Sequence, residues 1–144
     1  MAARKSRRKN NMPEIKAVAK KIFVAGVYLR LSVKDDADQN SIQNQRKIID
    51  EFLSSKPDIK IFKYYIDNGI SSFDHHRPAF EEMNEDIKSG MINTVIVKDI
   101  SRFGRDYIAT GTFLESIYPL LGVRFISVSD GFDTMGYNNL EYEV

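Results

Sequence analysis

The sequence predicts a three-layer α/β domain in which helices flank a four-stranded, mostly parallel sheet. Four short apolar runs, at about 22–31, 59–66, 94–97 and 123–128, alternate with segments of helical apolar spacing. Pro57, Gly90 and Gly122 separate helical segments from the strands that follow them. The length of 144 residues suits one domain with its own core.

Composition narrows the class of protein. With 42% hydrophobic and 28% charged residues, the chain has the make-up of an ordinary globular domain. It contains no cysteine, which excludes disulfides, thiolate chemistry and zinc–thiolate sites. No apolar run approaches membrane-spanning length, and the N-terminus lacks the apolar segment of a signal peptide. We therefore expect a cytoplasmic protein with no membrane partner.

Charge is spread unevenly along the chain. Residues 1–21 hold eight Lys or Arg side chains and one acid, Glu14. The whole chain has 21 basic and 20 acidic residues, so residues 22–144 carry a net charge of −6. We expect 1–21 to be a disordered basic leader and 22–144 to be the folded domain. Such a leader fits a nucleic-acid-binding arm and a solubilising tail equally well.

The first strand, about Ile22 to Leu31, ends in a run of polar side chains on one face. Alternation places Val27, Leu29 and Leu31 on one side and Tyr28, Arg30 and Ser32 on the other. Burying an unpaired guanidinium costs several kcal/mol, on the order of the penalty for an isolated buried charge. We therefore expect Arg30 to meet either an internal acid or an anionic ligand, and the chain offers no obvious acid.

A polar loop leads to a helix over about 41–55, for which Asn40 or Ser41 can serve as the cap. Its buried stripe is marked by Ile42, Ile49, Phe52 and Leu53. Gln45 falls on the same stripe, which is unusual for a polar residue. A second strand follows at about 59–66, and then a loop over 67–77.

Pro78 suits the first turn of the next helix, whose apolar face carries Phe80, Met83 and Ile87. A buried strand at 94–97 precedes a polar loop at 98–104. The helix predicted for 105–121 has five apolar residues on its core side: Tyr107, Leu114, Ile117, Tyr118 and Leu121. The fourth strand spans 123–128, and 129–144 is expected to be loop.

Polar residues follow each predicted strand, and ligands gather at the carboxyl ends of parallel strands. Ser32, Asp67, the 98–105 loop and Asp130 should meet at one sheet edge. The candidate site comprises four arginines and several polar residues: Arg30, Arg77, Arg102, Arg105, Ser32, Gln45, Ser71, Ser72 and Ser101. Guanidinium groups offer paired donors that match phosphoryl oxygens, and they stabilise charge developing at phosphorus. A serine among them could act as a nucleophile.

Other site types fit less well. His75 and His76 are adjacent and diverge on an extended loop. The segment from Asp36 begins like a calcium loop but has Ser41 in place of the glycine and Lys47 in place of the final glutamate. There is no phosphate-binding GxxxxGK[ST] or GxGxxG pattern. We expect no metal and no cofactor.

Five motifs in order resemble the N-terminal catalytic domain of serine site-specific recombinases, the resolvase/invertase family. They are Tyr28-x-Arg30-x-Ser32, Ser41-Ile42-x-x-Gln45, Asp67-x-Gly69-x-Ser71, Arg77-Pro78-x-Phe80 and Ser101-Arg102-Phe103-Gly104-Arg105-Asp106. The resemblance covers about 22–135. The last two motifs are most similar to the large serine recombinases and transposases of bacterial mobile elements.

The resemblance implies an enzyme that cleaves and rejoins DNA in recombination, integration or transposition. Ser32 would attack the phosphodiester and form a 5′-phosphoserine intermediate. Arg30, Arg77, Arg102 and Arg105 would bind the phosphate, while Gln45 and Tyr28 would position serine and phosphate and Asp106 would orient an arginine. Asp67, Ser71 and Ser101 would support the site. The partners implied are DNA and, in the full-length protein, further copies forming a dimer or tetramer.

Two departures qualify the resemblance. The family has an aspartate where Ser101 stands, so an acid–base role there would be absent or taken by Asp99. The chain also ends at Val144, before the family's dimerisation helix and DNA-binding region, so we expect an isolated catalytic domain that is weak or inactive alone. Two other functions remain open: a receiver-like signalling domain with Asp67 or Asp99 as phosphoacceptor, and a non-catalytic interaction module of the same fold.

Overall fold

The computed structural model describes residues 22–32, 41–70, 76–104 and 106–136. Their strands are β1 (Phe23–Ser32), β2 (Ile59–Ile70), β3 (Thr94–Val97), β4 (Arg124–Ser127) and β5 (Phe132–Asp133). Their helices are α1 (Ile42–Leu53), α2 (Pro78–Lys88), α3 (Ile100–Phe103), α4 (Tyr107–Thr112) and α5 (Tyr118–Leu120), with a π-helical segment, Phe113–Ile117, between α4 and α5. The predicted leader, 1–21, and the loop after Ser32 lie outside the described residues.

The described strands form one sheet in the order β2-β1-β3-β4-β5. The first four are parallel, and β5 pairs antiparallel with β4. The prediction of a mostly parallel sheet is confirmed, but the predicted number of four strands is wrong by one. Gly131, with φ +64°, lies in the turn that brings Phe132 and Asp133 back beside β4. Two residues are too few to give a recognisable strand pattern.

Two cores lie on opposite faces of the sheet, which makes the domain three-layered as predicted. On one face α1 packs against Val27 and Leu29 of β1 through Ile49. On the other face α2, α3 and the helical region 107–120 enclose Tyr28 and the aromatic residues around Phe103. The alternation read from β1 is therefore confirmed, and it sends Tyr28 towards the layer that holds α2 and α3.

Three local expectations are wrong. Strand β2 continues to Ile70, so Asp67 lies within a strand and not in a loop. The predicted polar loop at 98–104 contains the short helix α3. Tyr107 is 91% exposed and Leu121 49% exposed, so neither faces the core. The prediction assumed one regular α-helix over 105–121. The π-helical segment Phe113–Ile117 interrupts that period and changes which residues face inward.

In the described ranges, the helices are too short and too polar for any of them to cross a membrane.

Candidate functional site

The polar end of β1 is buried. Tyr28, Arg30 and Ser32 are 0%, 3% and 2% exposed, on the face that the sequence predicted. The pairing of β1 with β2 shifts by one residue immediately before Ser32, which aligns with Ile70. The residue passed over in β2 is Gly69, whose φ of +78° is open mainly to glycine. A bulge of this kind beside a site re-aims the neighbouring side chains.

Arg30 and Arg102 each bind the main chain of the other. Arg30 Nε donates to the carbonyl oxygen of Arg102 at 3.0 Å, and Arg102 Nη1 donates to the carbonyl oxygen of Arg30 at 2.9 Å. Arg30 Nη2 also donates to the carbonyl oxygen of Ser101 at 2.6 Å. Both arginines are nearly fully buried, so these bonds fix them in place where water is largely excluded.

Arg77 reaches the same short helix from the N-terminus of α2. Its Nη1 donates to the carbonyl oxygen of Phe103, and its guanidinium carbon lies 3.9 Å from the centroid of the Phe80 ring. The carbonyls of Ser101, Arg102 and Phe103 therefore all accept hydrogen bonds from arginines. We call the helix α3, Ile100–Phe103, the arginine turn.

The C-terminal carbonyls of a helix lack helical partners and carry partial negative charge. This explains how Arg30 is buried. The sequence predicted that an internal acid or an external anion would be the partner of Arg30. The structure shows a third kind of partner, the carbonyl oxygens of Ser101 and Arg102. Asp67 aligns with Arg30 in the pairing of β1 and β2, but its carboxylate accepts from Tyr28 and from the main chain of α2.

Gln45 is completely buried, as its place on the apolar stripe predicted, and its amide bonds to the main chain of β1. Its Nε2 donates to the carbonyl oxygen of Arg30 at 2.8 Å, and its Oε1 accepts from Arg30 N at 3.3 Å. The pairing of β1 with β3 extends only as far as Val27 and Ile96. Beyond that point, the Gln45 amide takes the place of a neighbouring strand.

Tyr28 and Asp67 join β1, β2 and α2. The Tyr28 hydroxyl donates to Asp67 Oδ2 at 2.8 Å, and the carboxylate also accepts from Ala79 N at 3.0 Å and Phe80 N at 3.1 Å. The N-cap residue of α2, Arg77, makes no side-chain cap bond, so Asp67 caps this helix from a strand. Burial raises the pKa of the Tyr28 hydroxyl; Arg77 opposes that rise, and the bond to Asp67 adds to it. The hydroxyl therefore stays protonated and donates.

Ser101 is exposed and donates its hydroxyl to Asp99 Oδ1. The same carboxylate oxygen accepts from Arg102 N at 3.2 Å and lies 3.5 Å from Arg102 Nε. Asp99 thus caps the arginine turn and faces the Arg102 guanidinium. The carboxylate that contacts Ser101 therefore belongs to Asp99, two residues earlier in the sequence.

The remaining site predictions have different outcomes. Asp106 accepts from Ile108 N at 3.0 Å and Ala109 N at 3.2 Å, which makes it the cap of α4. Its expected action on an arginine stays a prediction. Arg105, Ser71 and Ser72 lie outside the described residues, and so does His75.

Phe103 is a contributor to the site that the residue-by-residue reasoning missed. It is 1% exposed, and its ring packs edge-on at 5.1–5.7 Å between centroids against four other rings: Phe80, Phe113, Tyr118 and Phe125. This cluster anchors the end of the arginine turn in the core. A large aromatic residue inside a polar segment was the sequence signal that could have revealed it.

Solved structures with the same fold are serine recombinase catalytic domains. The N-terminal catalytic domain of TP901-1 integrase matches with a TM-score of 0.69 and 22% identity, over 83% of this chain and 97% of that one. A resolvase family site-specific recombinase from Streptococcus pneumoniae matches with a TM-score of 0.64 and 27% identity, over 84% and 89%. The catalytic domain of the IS607-like serine recombinase ISC1926 TnpA matches with a TM-score of 0.58 and 19% identity, over 73% and 68%.

Sequence comparison agrees with the fold. The family described as "Resolvase, N terminal domain" matches residues 25–140, so the chain belongs to the resolvase N-terminal domain family. Uncharacterized immunity region protein 3 of Bacillus phage phi105 is 34% identical over 68 residues, which are 46% of this chain and 82% of that protein. The resemblance drawn from the five motifs is thereby confirmed.

Proposed function

We propose that the domain cleaves and rejoins DNA strands in site-specific recombination or transposition, with Ser32 as the nucleophile. The observation that carries the proposal is the meeting of Arg30, Arg77 and Arg102 at the arginine turn. Ser32 follows Arg30 by two residues on the same face of β1. Membership of the resolvase family supports the same assignment.

The cleavage step balances without a cofactor. The Ser32 oxygen bonds to phosphorus and its proton passes to solvent or a nearby base. The bond from phosphorus to the 3′ oxygen breaks, and that oxygen takes up one proton from solvent or a nearby acid and leaves as a 3′-hydroxyl. Rejoining is the reverse attack by a 3′-hydroxyl on the phosphoserine. Cleavage exchanges the ester bond to the 3′ oxygen for an ester bond to Ser32, and rejoining does the reverse. The reaction therefore needs neither hydrolysis nor an external energy source.

The arginines are proposed to bind the scissile phosphate and to stabilise charge in the transition state. A guanidinium has five N–H donors in a fixed fork, which lets one side chain bind main-chain carbonyls and a phosphate together. Groups held in advance lower the barrier because they need not reorganise during the reaction. Arg30, Arg77 and Arg102 have such main-chain bonds, and Arg105 is assigned with them by the resemblance.

The supporting residues receive roles that follow from their contacts. Gln45 would hold the β1 main chain at Arg30, and Tyr28 with Asp67 would hold β1 against α2. Through these contacts with the main chain of β1 and with α2, Gln45 and Tyr28 would position Ser32 indirectly, which specifies the positioning role that the resemblance implies for them. Ser71, Ser101 and Asp106 keep the supporting roles implied by the resemblance.

The receiver-like alternative has less support. Asp67 accepts three hydrogen bonds and is 3% exposed, which suits a structural carboxylate better than a phosphoacceptor. Asp99 caps the arginine turn and lies beside Arg102. DNA is the proposed partner, together with further copies of the protein in a dimer or tetramer, and the cytoplasm is the proposed compartment.

The test is detection of a covalent protein–DNA adduct. The full-length protein is incubated with sheared genomic DNA from the organism that encodes it and denatured in detergent. Digestion with nuclease and then with protease precedes mass spectrometry of the peptide that contains residue 32. We expect a nucleotide remnant on Ser32, no adduct with Ser32→Ala, and an undiminished adduct with the exposed control Ser89→Ala. An adduct that persists in Ser32→Ala would assign the nucleophile elsewhere.

A further inference from the structure

The arginine turn is supported at its N-terminal side by a carboxylate that none of the five motifs contains. Asp130 Oδ2 accepts from Ile100 N at 2.8 Å and from the Ser127 hydroxyl at 2.6 Å. One carboxylate oxygen therefore joins the end of β4 to the first residue of the arginine turn. The two partners are 30 and 3 residues away in sequence.

The chain after β4 is placed by a continuous series of main-chain bonds. Val128 N donates to Val97 O at 3.0 Å and Ser129 N to Lys98 O at 2.7 Å, so the pairing of β3 with β4 continues past both strands. This pairing brings Asp130 opposite the start of α3. Ser127 is completely buried, which gives the hydroxyl that binds Asp130 a fixed position.

The arginine turn is then held from three directions. Asp130 and Asp99 bind the N–H groups of Ile100 and Arg102, and the Phe103 ring is packed in the aromatic cluster. The carbonyls at the opposite end of the turn accept from Arg30 and Arg77. A displacement of the first residue would move these acceptors, and with them the guanidinium groups.

We propose that Asp130 is a positioning residue for strand cleavage, acting through the arginine turn on Arg30 and Arg77. The proposal rests on the proposed function of the domain, and it adds that the loop after β4 sets the positions of these arginines. A 1 Å misplacement of reacting groups costs about 10²-fold in rate. Asp130 needs only one acceptor oxygen for this role, because both its bonds use Oδ2.

Two substitutions of Asp130 distinguish the effect of its acceptor oxygen from the effect of its charge. Asp130→Asn keeps one acceptor oxygen and loses the charge, whereas Asp130→Ala loses both. For adduct formation at saturating DNA, we expect Asp130→Ala to lower the rate about 10²-fold and Asp130→Asn to lower it less than about 5-fold. Non-covalent DNA binding, measured in a Ser32→Ala background, should change less than about 3-fold for both. Asp58→Asn, on an exposed turn, is the matched control.

A second readout does not depend on catalysis. Arg30 Nε–H is bonded to Arg102 O, so its NMR signal should exchange slowly with water in the wild type and in Asp130→Asn, and at least tenfold faster in Asp130→Ala. Ser127→Ala removes one bond of Asp130 and should give an intermediate exchange rate. If Asp130→Ala does not fold, Ser127→Ala serves as the test variant in its place.

The outcomes separate the two proposals. If Asp130→Ala leaves both the exchange of Arg30 Nε–H and the cleavage rate unchanged, Asp130 does not position the arginines. If Asp130→Asn is as slow as Asp130→Ala while Arg30 stays protected, the carboxylate acts by charge and the positioning role is wrong. If the wild type forms no adduct but Arg30 exchange responds as expected, the function proposal fails and the structural coupling stands.

Discussion

Arg30 Nε donates to the carbonyl oxygen of Arg102, and Arg102 Nη1 donates to the carbonyl oxygen of Arg30. Each of these residues, 72 positions apart in sequence, is thus both donor and acceptor for the other. The two bonds tie the end of β1 to the arginine turn with both guanidinium groups in low-dielectric surroundings. Two like charges are brought together here because carbonyl oxygens, and not carboxylates alone, receive them.

This exchange of hydrogen bonds predicts strong coupling between the two residues. Arg30→Lys and Arg102→Lys should each lower the free energy of unfolding by about 1–3 kcal/mol, since an ammonium cannot reproduce the planar donor geometry. The double variant should lose less than the sum, with a coupling free energy of about 0.5–3 kcal/mol. Urea unfolding of the four proteins measures it. Arg46→Lys, at an exposed helix position, should change stability by less than about 0.5 kcal/mol. Strictly additive losses would show that the reciprocal bonds contribute no coupling.

Substitution of Asp67 should lower the free energy of unfolding more than substitution of Tyr28, although the two side chains share a hydrogen bond. Tyr28→Phe removes one donor and should cost about 1 kcal/mol of unfolding free energy. Asp67→Ala removes the acceptor of that bond and of two N–H groups of α2, so we expect a cost of about 3 kcal/mol or more. Thermal or urea unfolding compares them, with Asp58→Ala as an exposed control. Equal losses in the two variants would mean that the cap on α2 contributes little.

The fold was largely readable because apolar periodicity reports on burial. Val27, Leu29 and Ile49 lie in one core as their spacing predicted, and Gln45 is buried where the stripe placed it. The prediction failed at Tyr107 and Leu121, which are exposed and lie on either side of the π-helical segment Phe113–Ile117, where the helical period changes. Such a segment depends on local packing and leaves no mark in the spacing itself.

The sequence predicted that the arginines meet at one edge of the sheet, but it could not predict their hydrogen-bond partners. Arg30, Arg77 and Arg102 were placed at one sheet edge, and the structure brings them to the arginine turn. Their acceptors are main-chain carbonyls, which every residue carries, so no side-chain pattern could name them. Asp67 was predicted to follow a strand, whereas it lies within β2 and caps α2. Its partners in α2 are main-chain N–H groups, which no side-chain pattern could name either.

Gly104 is expected to tolerate no side chain for a steric reason. Its φ of −174° is ordinary extended backbone, but a Cβ there would lie 2.6 Å from Thr110 Oγ1. Thr110 is buried, so either its side chain or the main chain would have to move within a packed interior to make room. Gly104→Ala should therefore lower the free energy of unfolding by about 1–3 kcal/mol, as overpacking does.

Removal of the Thr110 hydroxyl tests whether its clash with a Cβ at position 104 is the cause. In a Thr110→Ala background, Gly104→Ala should cost less than about 0.5 kcal/mol, because the clashing atom is gone. Gly111→Ala, where nothing lies within 4 Å of the new Cβ, should be neutral or stabilising by up to about 1 kcal/mol. If Gly104→Ala is as costly without the Thr110 hydroxyl as with it, the clash is not the cause.

Asp133 should make stability depend on pH in the acid range. Burial acts to raise its pKa, but the two bonds from Arg124, at 3.0 Å and 2.7 Å, and those from the Met135 and Gly136 main chain hold the pKa below its ordinary value of 3.8. A carboxylate whose pKa is lower in the folded state stabilises the protein above the unfolded pKa. It loses that contribution as the pH falls through the folded pKa. The contribution should thus be constant from pH 7 to about 5 and decline below about 3.8.

Asp133→Asn is the direct test of this dependence. Breaking the charged hydrogen bonds should cost about 1.5–3 kcal/mol of unfolding free energy at pH 7. The difference between wild type and variant should then shrink as the pH falls below about 3.8, since wild-type Asp133 becomes protonated. Arg124→Gln, which removes the main favourable partner, should show the same convergence. Urea unfolding at intervals between pH 7 and 2.5 follows both curves, and a difference that stays constant through this range would show that Asp133 has an ordinary pKa in the folded protein.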